Sequence, residues 1–354
     1  MATEPAIVIT EQVPEPATEP ANVASNIAVI GAFDSQITDL TICTDVREAH
    51  QLFGTMEVED DFKGTDVIDP LFTGATALYI INTTTWDGDT PETTLTDAKL
   101  TEGLNKLHNE VFDTLFIAEQ LTDAQQEIVT AWIDKEFEAK YCHGQILQVQ
   151  KSTASEYEIF VEKVNNNVYY INTQTFTVNG EAYGLNRSTA YIAGYIASIA
   201  IDASLTYQEI PKVSKITPEY STAPGEMGAV LLNLNIPFLK CRNRRTQKYY
   251  CVNSMLPDGF DLYINRTRDT VLNNIAAETV LGNKNTPLTE NGVVTLMEGL
   301  KQHYVNDLGL LKNIVYHTYK DSKNPKCINI AIDYMEFDDI ITTVNVFYSV
   351  KVSE

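Results

Sequence analysis

Five histidines, five cysteines and two dense carboxylate clusters are the groups in this chain that could bind a metal or activate a nucleophile, and their spacing suits neither task. His50, His108, His143, His303 and His317 are dispersed. Cys142 and His143 are adjacent, but neighbouring side chains on a strand or helix point apart, which makes a poor catalytic dyad. Cys43, Cys142, Cys241, Cys251 and Cys327 contain no Cys-x-x-Cys pair and read as reduced thiols, not as a disulfide frame or zinc site. Glu57, Glu59, Asp60 and Asp61 form one acidic cluster and Glu336, Asp338 and Asp339 another; neither has the spacing of a calcium loop, and both read as solvated turns. Dinucleotide, Walker, nucleophile-elbow and zinc-protease motifs are absent. No catalytic residue, cofactor or metal is therefore expected.

The one concentrated basic run is Lys240-Cys-Arg-Asn-Arg-Arg-Thr-Gln-Lys248. It has no interleaved aromatic on which a base could stack, since Tyr249 and Tyr250 flank only one end. Apart from a solvated loop, the reading left is electrostatic contact with an acidic protein surface, on this chain's next copy or on a different subunit. Lys240, Arg242, Arg244, Arg245 and Lys248 are the contact candidates.

The rest of the composition agrees. A net charge of −23 argues against direct nucleic-acid binding, which needs a basic surface to displace counterions. The charge is uneven. Residues 26–186 hold 27 Asp/Glu against 8 Lys/Arg, whereas residues 187–354 hold 17 of each, so one half should face water or repel its like and the other is free to pack. No basic segment followed by an apolar one opens the chain, so no secretory signal is expected. The longest mostly apolar run, Tyr191–Ile201, is too short to span a bilayer, and no membrane partner is expected.

Periodicity outlines the elements. Ile27–Phe33 and Ala77–Asn82 are buried-strand runs, with a short helix between them capped by Thr44 or Asp45 and stopped by Gly54. Leu100, Leu104, Leu107 and Val111 mark a helix over roughly 96–111, and Thr114–Ala118 a strand. Thr122 and Gln125 open a helix as a capping box, with Ile128, Trp132, Ile133 and Phe137 as its stripe, and Gln145–Val149 is the next strand. This alternation implies a partly parallel sheet with helical cover. Tyr157–Val161 and Val168–Asn172 read as strands, and Phe176–Tyr183 as a hairpin turning at Asn179-Gly180. From Arg187 a helix alternates small residues (Ala190, Ala193, Gly194, Ala197) with bulky ones, and an extended Ser204–Tyr207 follows. Further on, Phe260–Asn265 reads as a strand, Val271 to about Leu281 and Thr289–Val305 as helices, and Ile314–Tyr319 and Cys327–Ile332 as strands. The fold class is α+β: mixed sheets with helical cover.

The two ends differ from this core. Ala6–Val13 is β-prone, and Pro14–Pro20 is an acidic, Pro-rich linker that can be neither helix nor central strand. A strand on such a tether has no partner nearby in sequence, so it is either an unstructured tail or a strand for another subunit's sheet. Ile340–Val350 alternates at period two. The expected division is an arm and linker over 1–25, an α/β domain over 26–236, a C-terminal α+β domain over 237–340, and a strand arm over 341–354.

In order along the chain, these pieces resemble the contractile tail sheath family of phage tails, R-type bacteriocins and related injection systems. The resemblance rests on Ile27–Phe33 with Phe53-Gly54, Leu78–Asn82, the Ala/Gly-rich helix running into Ser204-Leu-Thr-Tyr207, the Phe260–Val271 passage with its Arg266-Thr-Arg-Asp269, and the Ile328–Val350 ending. The large inserted outer domain of longer sheaths is missing, and the acidic Pro-rich arm departs from the family's pattern. The resemblance implies a non-enzymatic structural subunit that polymerises as stacked six-fold rings around an inner tube. Contraction then drives the tube through a target envelope. It implies an inner tube protein, baseplate and tail terminator proteins as partners, and a place in a virion tail or injection particle assembled in the host bacterial cytoplasm. It also implies terminal arms that add strands to a neighbour's sheet, which assigns inter-subunit pairing to Ile7, Val8, Ile9 and Val13 and to Ile341, Val344, Val346, Tyr348 and Val350. The rivals are a metabolic α/β enzyme with an unrecognised site and another virion or baseplate structural protein.

Overall fold

The computed structural model describes residues 25–55, 62–108, 110–138, 144–162, 168–172, 174–243, 248–280, 290–320 and 328–337. The chain opens with strand β1 (Asn26–Gly31), strand β2 (Thr41–Cys43) and helix α1 (Val46–Phe53). Asp45 caps α1 by accepting from the Arg47 and Glu48 N–H groups, and Gly54 ends it at φ 84°. A 3₁₀ turn and helix α2 (Ile68–Leu71) lead to β3 (Ala77–Asn82). Asn82 then latches the chain beyond β1: its Oδ1 accepts from Phe33 N at 3.0 Å and its Nδ2 donates to Ser35 O at 2.8 Å. A small ribbon, β4 (Thr85–Asp87) and β5 (Thr90–Glu92), precedes α3 (Asp97–Lys106), β6 (Thr114–Ile117), α4 (Asp123–Glu138) and β7 (Gly144–Val149). The Thr122/Gln125 capping box forms in both directions, at 3.0 and 3.2 Å.

Helix α5 (Ala154–Val161) leads to β8 (Val168–Asn172). The six strands pair in the order β2-β3-β1-β6-β7-β8, parallel throughout except for the antiparallel β2. Side-chain alternation sends Ile27 and Val29 of β1 into one buried cluster and Ala28 and Ile30 into another, so both faces of the sheet are covered.

Next come β9 (Thr175–Val178) and β10 (Glu181–Tyr183), joined through Asn179 and Gly180 at φ 51° and 87°, as a tight hairpin requires. Helix α6 (Leu185–Ser198) is the small-residue helix, and its spacing has a packing cause. The backbone of α2 and of the turn after it lies against α6 so closely that a Cβ on Gly194 would sit 2.2 Å from Pro70 O, and one on Gly74 2.0 Å from Gly194 O. Strand β11 (Val213–Thr217) completes the β10-β9-β11 sheet, and α7 (Met227–Asn233) leads to the hairpin β12 (Leu239–Asn243) and β13 (Lys248–Cys251). The last part holds α8 (Leu262–Val280), α9 (Glu290–Lys301) running into a π-helical turn over Gln302–Asp307, and the antiparallel β14 (Asn313–Lys320) and β15 (Ile328–Glu336). Its own cluster joins Ile201, Val271, Met297, Tyr304, Leu311 and Ile314.

Four expectations fail. Tyr157–Val161 is not a strand but the body of α5, because Thr153 and Glu156 form a capping box that fixes a helical start. Tyr157 and Phe160 then face the core, three residues apart. The predicted Phe260–Asn265 strand is the start of α8: Asp261 Oδ1 accepts from Tyr263 N at 3.2 Å in the manner of an N-cap, and Phe260 stays 56% exposed. Ser204–Tyr207 is not extended, since Gln208 N donates to Leu205 O and Tyr207 takes φ 58°. Helix α3 ends before Val111, which is 59% exposed, and Phe112 takes the core position instead.

Thr153→Ala should destabilise the protein by about 1 kcal/mol, the usual cost of losing an N-cap. A urea melt followed by circular dichroism checks it, and an unmoved midpoint would contradict the capping role.

Candidate assembly surfaces

Two surfaces and one buried seam bear on the groups that the sequence singles out. The first is the β14–β15 ribbon. It pairs only with itself among the described residues, over eight registered pairs from Asn313↔Glu336 to Lys320↔Ile328. Its outer edges therefore present backbone N–H and C=O groups open to a further strand. Helix α9 braces the ribbon through Tyr316 Oη, which donates to Glu298 Oε1 at 2.6 Å, and through Ile314 in the cluster with Met297. The expected pairing residues Ile7, Val8, Ile9, Val13, Ile341, Val344, Val346, Tyr348 and Val350 lie outside the described residues.

The second surface is the basic hairpin. Lys240 lies on β12 and donates to Thr222 Oγ1 at 2.6 Å; Lys248 opens β13 and pairs with Glu209 at 2.6 Å. Arg242 belongs to β12, and Arg244 and Arg245 lie outside the described residues. Lys240 registers against Tyr250, which places it on the same face as Tyr250 and Lys248. Cys142, His143, the Glu57–Asp61 carboxylates, Asp338 and Asp339 also lie outside the described residues.

The third is a polar seam that sequence reasoning did not resolve, where α8 meets the rest of the core. Arg266 donates to Ala200 O and Ile199 O, both at 3.3 Å, so a cation closes the C-terminal end of α6. Burial pulls its pKa down to about 10, with the carboxylates of Asp113 and Asp202 opposing the fall. Burial likewise raises Asp113, against the Asn26 N–H that donates to it at 2.7 Å and the nearby Arg266. Asp269 is raised by burial and held back by Arg268 at 2.7 Å. Beside these charges, Asp261 Oδ2 accepts from Ser204 Oγ at 2.6 Å and from Ser254 Oγ, while the Thr206 and Ser254 hydroxyls meet at 2.9 Å. The Ser204–Tyr207 and Arg266–Asp269 motifs thus lock one helix start onto one helix end. Only the motifs themselves were legible, because their partners lie 48 to 67 residues away along the chain.

Nucleophilic chemistry finds no support at the buried thiols. Burial pushes Cys43 up to about 11, with Glu48 adding to it, and Cys251 up to about 12, so neither is a thiolate near neutral pH. We expect Cys43 and Cys251 of the folded chain to resist alkylation at about pH 8 while the partly exposed Cys241 reacts. Peptide mass spectrometry after iodoacetamide reads this directly, and rapid labelling of Cys251 would contradict it. Among the described residues no group of three or more His, Cys, Asp or Glu is placed to hold a metal ion, and no helix is long and apolar enough to cross a membrane.

This architecture is the fold of contractile tail sheath proteins. The sheath tail protein of Listeria innocua aligns with a TM-score of 0.62 at 11% identity, over 85% of this chain and 89% of that one. The contracted helical sheath of the anti-feeding prophage aligns with a TM-score of 0.67 at 14% identity, over 99% of each chain. A chain of that prophage's six-fold symmetrised baseplate gives 0.68 at 12% identity, over 99% of this chain and 100% of that one. No family model matches the sequence, and no curated protein does.

Proposed function

We propose that the chain is a structural subunit of a contractile sheath. It polymerises as stacked rings around an inner tube and shortens to drive that tube through a target envelope. The observation that carries this reading is the end-to-end likeness to the anti-feeding prophage sheath, in which neither chain has a large part left over. The open edges of the β14–β15 ribbon support it, because strand addition by residues 6–13 of one copy and 341–350 of another would satisfy backbone groups that the ribbon leaves unpaired. In this reading the arms over 1–25 and 341–354 bracket a core made of 26–236 and 237–340. The core is not an enzyme, and its partners are its own copies, a tube protein and the baseplate and terminator proteins at the two ends. The Pro14–Pro20 linker lets a core turn while its strand stays paired. A difference of about 1–3 kcal/mol per subunit between two core-to-core arrangements, a typical coupling energy, sums over a long polymer into a large stroke.

A second reading, a sheath-like subunit confined to the baseplate end, is favoured by the likeness to the baseplate chain. Copy number separates the two. Quantitative mass spectrometry of purified particles should place this chain among the most abundant proteins, level with the tube. A few copies per particle would contradict the sheath reading and favour the baseplate one.

A further inference from the structure

Ser25 and Asn26 join the N-terminal arm to β1, and each is clasped by a residue from a different part of the chain. Ser25 N donates to Thr76 Oγ1 at 3.2 Å, and Ser25 O accepts from Thr76 N at 2.8 Å. Asn26 N donates to Asp113 Oδ2 at 2.7 Å, and Asn26 O accepts from Asp113 N at 2.9 Å. The registered pairs of β1 start at Asn26↔Ala77 on β3 and at Ile27↔Thr114 on β6. Both clasps therefore sit one residue ahead of a parallel ladder, and in each a side-chain oxygen takes the N–H at the ladder's open end. Strand ends without such partners are where local opening starts.

Their position has a mechanical consequence. Strand β1 is an interior strand, flanked by β3 and β6 and buried from Ile27 to Gly31. A pull on the arm along β1 loads the rungs of both ladders together, in shear. A pull across the sheet opens the rungs one after another, beginning at Ser25 and Asn26. In either direction the clasps are the first bonds to carry the force. The Asp113 clasp is itself held in place. Arg266 of α8 attracts the Asp113 carboxylate, and the Ile199 and Ala200 carbonyls, both at 3.3 Å, pin Arg266. An ionised carboxylate also makes a stronger bond to a backbone N–H than a neutral oxygen does.

We propose that Thr76 and Asp113 are positioning residues that anchor the N-terminal arm mechanically, so that tension in the arm reaches β1 without stripping its first residues from the sheet. The proposal rests on the sheath reading for the source of the tension, an arm that stays paired to another copy while its own core turns. The test holds single full-length chains at fixed force and compares wild type, Thr76→Val, Asp113→Ala and Asp113→Asn. One axis runs from the N-terminus to Glu158 on α5. The control axis runs from Asp89, exposed in the β4–β5 turn, to the same Glu158. Forced opening reads an unfolding rate. Along the N-terminal axis Thr76→Val should speed the first rupture about fivefold and Asp113→Ala about tenfold, as loss of a neutral and of a charge-assisted hydrogen bond would. Asp113→Asn keeps an oxygen for the Asn26 N–H and should fall between wild type and Asp113→Ala. Along the control axis Thr76→Val should stay within about twofold of wild type, as an exposed position allows. Equal acceleration along both axes would make the two residues ordinary structural ones and overturn the anchor. Unaltered rupture of Thr76→Val along the N-terminal axis would overturn it too, and that variant decides alone if Asp113→Ala fails to fold. Either result leaves the sheath reading standing. A wild-type chain that never polymerises would remove the sheath reading and the tension with it, whatever the rupture rates.

Discussion

Chains lacking residues 1–25, or lacking 341–354, should stay folded and lose the ability to form polymer. The reason is where the free energy of each process lies. Among the described residues, the three apolar clusters that hold the subunit together, with the side chains packed on them, draw on residues 27–337. Strand addition, by contrast, makes a run of backbone hydrogen bonds that no side-chain contact replaces. Circular dichroism and sedimentation of both truncated chains check the prediction. The expected result is a native spectrum, a Tm within a few degrees of wild type, and only monomers at concentrations where the intact chain assembles. Polymer at wild-type efficiency after both deletions would refute the role of the arms, and loss of the native spectrum would place them in the core.

Gly194→Val should unfold much of the subunit population. The Cβ would lie 2.2 Å from Pro70 O and 2.5 Å from Thr73 Oγ1, inside contact distance of backbone that α6 cannot leave without parting from α2. Overpacking of this kind costs about 3 kcal/mol or more, a large part of a domain's total stability. Gly299→Ala is the control. Gly299 lies within α9 with nothing within 4 Å of an added Cβ, so alanine there should stabilise by about 0.5 to 1 kcal/mol. Urea denaturation of both variants, at concentrations below assembly, reads the contrast. A Gly194→Val chain within about 1 kcal/mol of wild type would mean that the small-residue face of α6 is not a close-approach surface.

What could be read from the residues alone was local in origin. Asp45 and Gly54 bound α1, the Thr122/Gln125 box opens α4, and the Asn179-Gly180 turn closes its hairpin, because each signal and its effect lie within a few residues. The same kind of signal stands at Thr153 and Glu156, where the capping box prevails over the β-prone content of Tyr157–Val161. Short apolar runs such as Phe260–Asn265 do not separate strand from helix by periodicity, and there the decision falls to Asp261. Two motifs were recognised without their purpose. The partners of Ser204 and Arg266 are Asp261 in the first case and the Ile199 and Ala200 carbonyls in the second, and chain proximity shows neither.

Electron microscopy of the purified full-length chain, in negative stain and over a range of concentration and salt, is the measurement that bears most directly on the sheath reading. Hollow, helically ordered tubes built from stacked rings are the predicted result. A field of single particles at every condition, with both chain ends folded onto their own core, would contradict it.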